Sequence, residues 1–179
     1  MVEEARLIRG EGGLAPGSPG WLVLNARDAR WFAMPGRGRT PFFEGDGELG
    51  FPQLGIGPHV LMPGEPNGLY HREGGQEDFL VIAGECLLLV EGQERRLRAW
   101  DFVHCPPGTQ HIFVGAGDGP CVILMAGARG HGGLHYPASA VARRHGASAE
   151  RDTDSPAEAY APFEPGRLVP YQEGDLPEL

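Results

Sequence analysis

The sequence contains no lysine, only three cysteines and no apolar run as long as ten residues. All fifteen basic residues are arginine, which we attribute to codon bias in a GC-rich genome and not to chemistry. No two cysteines have the Cys-x-x-Cys spacing of thiolate zinc sites and redox motifs. The apolar runs are also too short to cross a bilayer. These absences exclude zinc fingers, thiol oxidoreductases and membrane-spanning helices.

The charge balance and the first residues of the chain indicate its partners and its cellular compartment. The formal net charge is −9, which argues against nucleic acid, because phosphates require a basic face. Residues 1–10 contain acids and arginines but no apolar segment of the kind that directs secretion. Cys86, Cys105 and Cys121 are widely spaced in apolar stretches, so we expect buried free thiols in a reducing cytoplasm. The expected partner is a small molecule, with neither nucleic acid nor membrane.

The distribution of apolar residues predicts an all-β fold. A chain of 179 residues is expected to form one domain. Its 29 glycines and 17 prolines separate short apolar runs, and turn signals recur about every 8–12 residues, as in a sandwich or barrel. Nine strands are predicted: Trp21–Asn25, Ala29–Met34, Gln53–Leu61, Phe79–Ala83, Glu85–Val90, Gln93–Ala99, Asp101–Cys105, His111–Val114 and Cys121–Ala128.

The two ends of the chain carry weaker patterns. Residues 1–20 are rich in glycine and proline and are expected to form a flexible arm before a barrel over 21–137. Residues 138–179 are expected to form a short helix, Ser139–His145, followed by an extended strap. The tail is too apolar to be purely solvated, while its prolines exclude a regular strand. We therefore expect much of residues 155–172 to lie ordered but irregular over the barrel or a partner subunit.

Two stretches of the strand region carry the chemistry. The first, Pro63 to Gly84, reads PGEPNGLYHREGGQEDFLVIAG, and the second, Trp100 to Gly115, reads WDFVHCPPGTQHIFVG. They resemble the two defining motifs of the cupin superfamily, Gly-(X)5-His-X-His-(X)3–4-Glu-(X)6-Gly and Gly-(X)5-Pro-X-Gly-(X)2-His-(X)3-Asn. The spacing from Glu77 to Gly84 fits the first motif, and Pro-X-Gly-(X)2-His is complete at residues 106–111. The second motif departs at its ends, with Trp100 for glycine and Gly115 for asparagine.

This resemblance covers roughly residues 50–128 and implies a single jelly-roll β-barrel that holds one divalent metal ion. In cupins, the ligands are the His-X-His pair, the glutamate and the later histidine. The ligands carried over to this chain are His71, Glu73, Glu77 and His111.

The assignment of the first pair depends on the gap before the glutamate. A three-residue gap places the pair on His71 and Glu73, so that a carboxylate replaces one histidine. A four-residue gap places it on Tyr70 and Arg72, which the five residues after Gly64 would fit. Arginine is always charged and has no lone pair for a metal. We therefore favour His71 and Glu73, with Tyr70 and Arg72 as outward neighbours or groups at the pocket mouth.

Side-chain alternation supports a metal independently of the resemblance. In a regular strand Glu77, Phe79 and Val81 share one face, as do His111 and Phe113. An ionised carboxylate on an apolar inner face is costly unless it is paired, and a divalent cation would pair it. Two carboxylates and two neutral imidazoles would balance the charge of such an ion. The residues expected to line the pocket are Tyr70, Phe79, Cys105 and Phe113.

The identity of the metal is left open between Mn, Fe, Co, Ni and Zn, since nitrogen and oxygen ligands suit all of them. The carboxylate at Glu73 favours Mn or Fe(II) slightly over Cu. Other histidines are set aside: His104 is expected to face outward, and His131 and His135 are interpreted as loop residues, although a second metal site there is an alternative.

Three classes of function remain. By resemblance, small cupins include dioxygenases, isomerases and decarboxylases that act on small polar or aromatic acids. The alternatives are a non-catalytic ligand-binding module and a barrel that the metal only stabilises. We favour the enzyme. Single-barrel cupins generally dimerise, so we also expect a homodimer in which Trp21–Met34 contacts the partner subunit.

Overall fold

The computed structural model describes residues 1–177, which form twelve β-strands, two short α-helices and one 3₁₀ turn. The strands are β1 (Leu7–Gly10), β2 (Gly13–Pro16), β3 (Arg30–Ala33), β4 (Arg39–Phe42), β5 (Leu54–Leu61), β6 (Glu77–Ala83), β7 (Glu85–Val90), β8 (Gln93–Arg98), β9 (Phe102–Cys105), β10 (His111–Ala116), β11 (Cys121–Ala128) and β12 (Arg167–Val169). The helices are α1 (Ala140–Arg143) and α2 (Pro156–Tyr160), and the 3₁₀ turn is Gly47–Leu49. Neither helix of the described chain is long or apolar enough to cross a membrane.

The strands are arranged in two antiparallel sheets and a separate hairpin. The main sheet has the order β12-β3-β4-β5-β11-β6-β9, the smaller sheet has the order β10-β7-β8, and β1 pairs with β2. This arrangement confirms the all-β, jelly-roll class that the sequence predicts. Within residues 1–177 the two sheets remain separate ladders and do not close into one continuous barrel.

The hydrophobic core lies between the two sheets. Both sheets contribute inward-facing side chains, as period-two alternation requires. Its buried members are Leu61, Phe79, Val81, Cys86, Leu88, Cys105, Phe113, Cys121 and Ile123. Burial of each large apolar side chain contributes about 1.5–3 kcal/mol to stability. All three cysteines are buried and free, as predicted.

Tight turns connect the central strands. Glu91 and Gly92 have φ values of 47° and 73°, so the β7–β8 hairpin closes through two left-handed residues, as a type I′ turn requires. Gly84, between β6 and β7, has a φ of 72°, and a Cβ there would lie 2.4 Å from the carbonyl oxygen of Pro120. The glycines of this region therefore determine where the strands reverse.

The N-terminal region differs from the expected flexible arm. Residues 1–20 contain the β1–β2 hairpin, and Ala5 and Ala15 are buried. The predicted strand Trp21–Asn25 is wrong: apart from an isolated bridge at Trp21, it has no strand structure. Asn25 instead closes a turn, since its carbonyl oxygen accepts hydrogen bonds from the N–H groups of residues 28 and 29.

The C-terminal strap is more regular than expected. The predicted helix over Ser139–His145 is confirmed as α1, whose first turn is capped by the Ser139 hydroxyl. Residues 155–172 also contain α2 and the strand β12, which pairs with β3. A strand fits because β12 is only three residues long and lies between Pro165 and Pro170. Because β12 covers the edge of β3, that edge is not open to a partner subunit. The last two residues of the predicted strap, 178–179, lie outside the described residues.

A buried arginine in the turn between β3 and β4 connects this hairpin to later parts of the chain. Arg37 is only 5% exposed and donates hydrogen bonds to the carbonyl oxygens of Gly68 (2.7 Å) and Gly146 (3.1 Å). Its guanidinium lies 4.0 Å from the centre of the Phe163 ring. No carboxylate in residues 1–177 lies within ion-pair distance of it. The strap also contacts the Gly68 segment directly, because the Leu69 N–H donates to the Tyr160 hydroxyl at 3.0 Å.

Candidate metal centre

Three predicted ligands meet at one end of the space between the sheets. The potential ligand atoms of His71, Glu77 and His111 all lie within 4.8 Å of one another. Glu77 begins β6 and His111 begins β10. His71 lies in the loop between β5 and β6 and forms an isolated antiparallel bridge to His111. The backbone N–H of each residue donates to the carbonyl oxygen of the other, at 3.2 and 2.8 Å. This bridge places the two imidazoles side by side, with ring centres 5.1 Å apart.

Both imidazoles are oriented by hydrogen bonds to the backbone. The Nδ1 atom of His71 lies 2.7 Å from the Leu69 carbonyl oxygen, and that of His111 lies 3.1 Å from the Thr109 carbonyl oxygen. A carbonyl oxygen only accepts, so Nδ1 carries the proton in each ring and Nε2 keeps its lone pair. His111 Nε2 lies 3.6 Å from a Glu77 carboxylate oxygen. Metal-binding histidines are held in this way in many proteins.

The electrostatics of the three residues match a site for a cation. Burial raises the pKa of Glu77 to about 7, and the charge of Glu73 adds to this effect. Burial lowers the pKa of His111 to about 4, with a further contribution from His71, and burial also lowers the pKa of His71. Near neutral pH the imidazoles are therefore uncharged and able to donate lone pairs. A divalent cation would offset the cost of ionising the buried carboxylate, so the donor set fits a metal ion.

The position of Glu73 differs from that of the other three predicted ligands. Its Oε1 atom lies 3.8 Å from His71 Nε2, but it does not belong to the mutually close group, and its side chain is 39% exposed. The alternative pair is not at the site: the Tyr70 hydroxyl is buried and accepts a hydrogen bond from the Gly92 N–H, while Arg72 is exposed. The structure thus brings His71 to the site, and Glu73 as a fourth ligand stays a prediction.

The three residues line a cavity of about 260 Å³ that opens to solvent. The cavity is lined by Thr40, Pro41, Phe42, Phe43, Glu44, Gly55, Ile56, Gly57, His59, Asn67, His71, Glu77, Phe79, His111, Met125, Ala126, Gly127 and Arg129. Of the four residues expected to line it, Phe79 does. Cys105 and Phe113 instead pack in the core between the sheets, and Tyr70 packs in a separate cluster with Leu89 and Ile112.

Several polar residues of the cavity were not anticipated from the sequence. His59 points inward from β5, and its Nε2 atom donates to the Arg37 carbonyl oxygen at 3.2 Å. Burial lowers the pKa of His59 to about 4. Alternation with the inward Leu61 is a signal that could have identified it. The side-chain oxygen of Asn67 accepts from the Phe113 N–H at 2.9 Å, and no local pattern marks that residue.

The three histidines that the sequence analysis set aside do not belong to this group. His104 is exposed, as predicted, and its ring contacts Asp78 at 2.7 Å. His135 contacts Asp154 at 2.7 Å, and His131 is exposed. In the described part of the chain, His71, Glu77 and His111 are the only group of three or more side chains that could hold a metal ion.

One known family model matches the central part of the chain. Residues 59–127 match the family model of the cupin domain, a stretch that includes all three residues of the candidate metal centre. Together with the two sequence motifs and the jelly-roll arrangement, this match supports the assignment of residues 59–127 to the cupin superfamily. A comparison with curated proteins finds no match.

Three solved structures are partly similar to this chain. A putative sugar phosphate isomerase from Acidithiobacillus ferrooxidans is 23% identical, with 56% of this chain and 65% of that chain covered and a TM-score of 0.47. The chain thus spans less than two thirds of that protein. A cupin-superfamily sugar phosphate isomerase from Silicibacter pomeroyi is 25% identical, with coverages of 62% and 65% and a TM-score of 0.45. The polyketide cyclase RemF from Streptomyces resistomycificus is 14% identical, with coverages of 55% and 69% and a TM-score of 0.47.

Proposed function

We propose that this cupin domain binds one divalent metal ion through His71, Glu77 and His111, with Glu73 as a fourth ligand, and that it is a metal-dependent enzyme acting on a small organic acid. The observation that carries the proposal is the convergence of three ligand atoms within 4.8 Å on the wall of an open cavity. Structural metal sites are usually closed by protein ligands, whereas catalytic sites keep room for a substrate. The adjoining cavity therefore favours a catalytic metal.

The residues of the site have separate tasks in this proposal. The backbone carbonyls of Leu69 and Thr109 hold the two imidazoles with Nε2 free. Glu77 supplies the negative charge, and Phe79 packs against His111 with ring centres 5.1 Å apart, which excludes water from one side. A metal bound here would supply Lewis-acid polarisation of a coordinated substrate oxygen. Metal-dependent dioxygenases, isomerases and decarboxylases use such polarisation or an open coordination position.

The proposal is tested first by metal analysis of protein purified without an affinity tag. One equivalent of Mn, Fe, Co, Ni or Zn is expected. His71→Ala, Glu77→Gln and His111→Ala should each weaken metal binding by at least about 10–100-fold, the range seen when groups that support ligands are lost. Tyr70→Phe and Arg72→Ala are the matched controls and should keep a stoichiometry near one. Loss of binding in either control, or unchanged binding in the three variants, would reject the site.

Glu73→Ala decides the number of protein ligands. Weakened binding would assign four, and unchanged binding would assign the three mutually close residues, an arrangement of two histidines and one carboxylate. The alternative function is a non-catalytic cupin in which the metal only stabilises the fold. That alternative predicts that metal removal lowers the melting temperature, while small organic acids leave the spectrum of Co²⁺-loaded protein unchanged.

A further inference from the structure

The side chain of Asn67 is held in one orientation beside the candidate metal centre. Its Oδ1 atom accepts a hydrogen bond from the Phe113 N–H at 2.9 Å, and the Asn67 N–H donates to the Phe113 carbonyl oxygen at 3.0 Å. A backbone N–H only donates, so the side-chain atom that faces it must be the amide oxygen. The Nδ2 group of Asn67 therefore points away from the Phe113 N–H.

The Nδ2 group has only a weak hydrogen-bond partner. It lies 3.7 Å from the Sδ atom of Met125, and a thioether sulfur is a weak acceptor. An amide nitrogen carries two N–H groups, so at least one of them has no hydrogen-bond partner within residues 1–177. Asn67 and Met125 both line the cavity that contains the three candidate metal ligands. Nδ2 therefore offers a donor to a molecule that occupies this cavity.

The donor lies within reach of a small molecule bound at the metal centre. Phe113, which holds the amide, follows His111 by two residues on the inner face of β10, a separation of about 7 Å. In the main sheet Met125 is paired with Phe79, which follows Glu77 by two residues, so both sheets reach the same depth below the candidate ligands. The cavity of about 260 Å³ is smaller than most ligand sites, which indicates a ligand of a few carbon atoms.

The charges around the cavity favour a ligand with a single anionic group. Arg129 is the only arginine among the described residues that line the cavity, and both oxygens of the Glu44 carboxylate accept hydrogen bonds from its guanidinium. A second anionic group, remote from the metal, would therefore meet no free guanidinium in this lining. Most of the other lining side chains are apolar, and placing an unpaired charge against them would be costly.

We propose that Asn67 is a specificity-determining residue whose Nδ2 group donates a hydrogen bond to a carboxylate oxygen of the metal-bound acid. The inference rests on the proposed function and narrows its substrate class to short 2-hydroxy or 2-oxo monocarboxylic acids. One carboxylate oxygen and the neighbouring oxygen on carbon 2 would bind the metal, and the second carboxylate oxygen would accept from Asn67. The hydrocarbon part of the acid would lie against the apolar walls of the cavity.

Nuclear magnetic resonance of Zn²⁺-loaded full-length protein tests the donor in the wild-type chain. The sequence contains two asparagines, Asn25 and Asn67, and contacts with the Met125 methyl group distinguish the side-chain amide signals of the second. Addition of lactate should shift the Nδ2 proton signals of Asn67 downfield, because a carboxylate is a far stronger acceptor than a thioether. The signals of Asn25, which is exposed, should stay in place.

Asn67→Asp removes the donor but keeps the acceptor. The carboxylate can still accept from the Phe113 N–H, whereas it offers no N–H and repels an acid at pH 8. Titration calorimetry should show the affinity for lactate reduced at least about tenfold, as expected for a lost hydrogen bond to a charged group, with unchanged Zn²⁺ stoichiometry. Asn25→Asp is the matched control and should change nothing, because Asn25 Oδ1 also accepts from a backbone N–H, that of Arg27 at 2.9 Å.

Two ligands of the same shape test the single anionic group. Malate and 2-hydroxy-4-methylpentanoate share the metal-binding hydroxyl and carboxylate, and they differ at the other end, where malate has a carboxylate and the second acid an isopropyl group. The isopropyl compound should bind wild-type protein at least about tenfold more tightly, because the cavity lining offers its partner no free cation.

Three results would overturn the inference. Asn67 signals that stay in place at saturating lactate would do so, as would an affinity for lactate that is undiminished in Asn67→Asp. Equal or tighter binding of malate, or no binding of any of these acids, would overturn the assignment to monocarboxylic acids. In each case one bound Zn²⁺ per chain would leave the metal site intact, so this inference alone would fail. Failure of wild-type protein to bind any divalent ion would overturn the proposed function and this inference together.

Discussion

Replacement of Glu77 by glutamine should stabilise the metal-free protein and at the same time abolish its response to metal. Burial raises the pKa of this carboxyl from 4.5 to about 7. A shift of one unit corresponds to about 1.4 kcal/mol, so ionised Glu77 destabilises the metal-free fold by about 3 kcal/mol above pH 7. In a chain of this length 1 kcal/mol corresponds to about 2–4 °C in melting temperature. Glu77→Gln should therefore melt several degrees higher at pH 8 in the presence of a chelator.

The sign of the effect follows from the direction of the shift. Because the pKa in the folded state is raised, the folded protein binds the proton more tightly than the unfolded chain does. The protonated carboxyl carries no penalty below about pH 4.5, and the penalty grows as the pH rises towards 7. The advantage of Glu77→Gln should thus be absent at pH 4.5 and complete at pH 8. Added metal should raise the melting temperature of the wild type but not that of the variant.

Thermal melts at the two pH values, with and without Mn²⁺, measure both effects. Glu150→Gln, which removes an exposed carboxylate, is the control and should show neither. The reasoning would be refuted if Glu77→Gln were less stable than wild type by the same amount at pH 4.5 and pH 8. Such a result would mean that the carboxylate contributes ordinary hydrogen bonds and is not an ionised group awaiting a cation.

Three further predictions concern the cavity, the strap and the assembly. A Cβ at Gly57 would lie 3.6 Å from the Pro41 carbonyl oxygen, an ordinary contact distance, so Gly57→Leu should fit and fill the cavity. The variant should keep the metal stoichiometry but lose its metal to dipicolinate more slowly than wild type in a stopped-flow experiment. An unchanged rate of metal removal would contradict this prediction. Deletion of the residues after Pro156 removes most of α2 and all of β12 and should lower the melting temperature by at least about 5 °C, whereas an unaltered melting curve would show that the strap adds no stability. Light scattering should give twice the chain mass of 19.2 kDa. Trp21→Glu should shift the protein towards the monomer, because Trp21 and Val23 are 51% and 78% exposed and form an apolar surface. A monomeric mass for wild-type protein at micromolar concentration would reject the homodimer.

The central strands and the candidate metal ligands were predictable because their signals are local. Alternation and turn glycines lie within a few residues of each strand they define, and the hairpin at Glu91 and Gly92 shows both. The spacing around Glu77 and before His111 marked both residues as candidate ligands, and both belong to the group that could hold a metal ion. The chemistry of arginine then decided between the two possible pairs, and the structure places His71 beside the other two.

The remaining features depend on contacts between distant parts of the chain. Strand β12 forms only because β3, more than a hundred residues earlier, offers it an edge. Alternation correctly placed Cys105 on the inner face but could not show that it lies in the packed core and not on the cavity wall. Arg129 and Gly55 meet because β11 pairs with β5 in one register, which no local pattern specifies.

The buried cation at Arg37 joins the C-terminal strap to the metal centre. The Leu69 carbonyl that orients His71 belongs to a segment held from two sides, by Arg37 at Gly68 and by the Tyr160 hydroxyl at the Leu69 N–H. A guanidinium keeps its charge at every physiological pH, so the hydrogen bonds of Arg37 to Gly68 and Gly146 do not depend on pH. The Phe163 ring of the strap covers this guanidinium. Docking of the strap and binding of metal therefore share one segment of backbone. By thermodynamic reciprocity, any effect that docking of the strap has on metal affinity must equal the effect that bound metal has on docking of the strap.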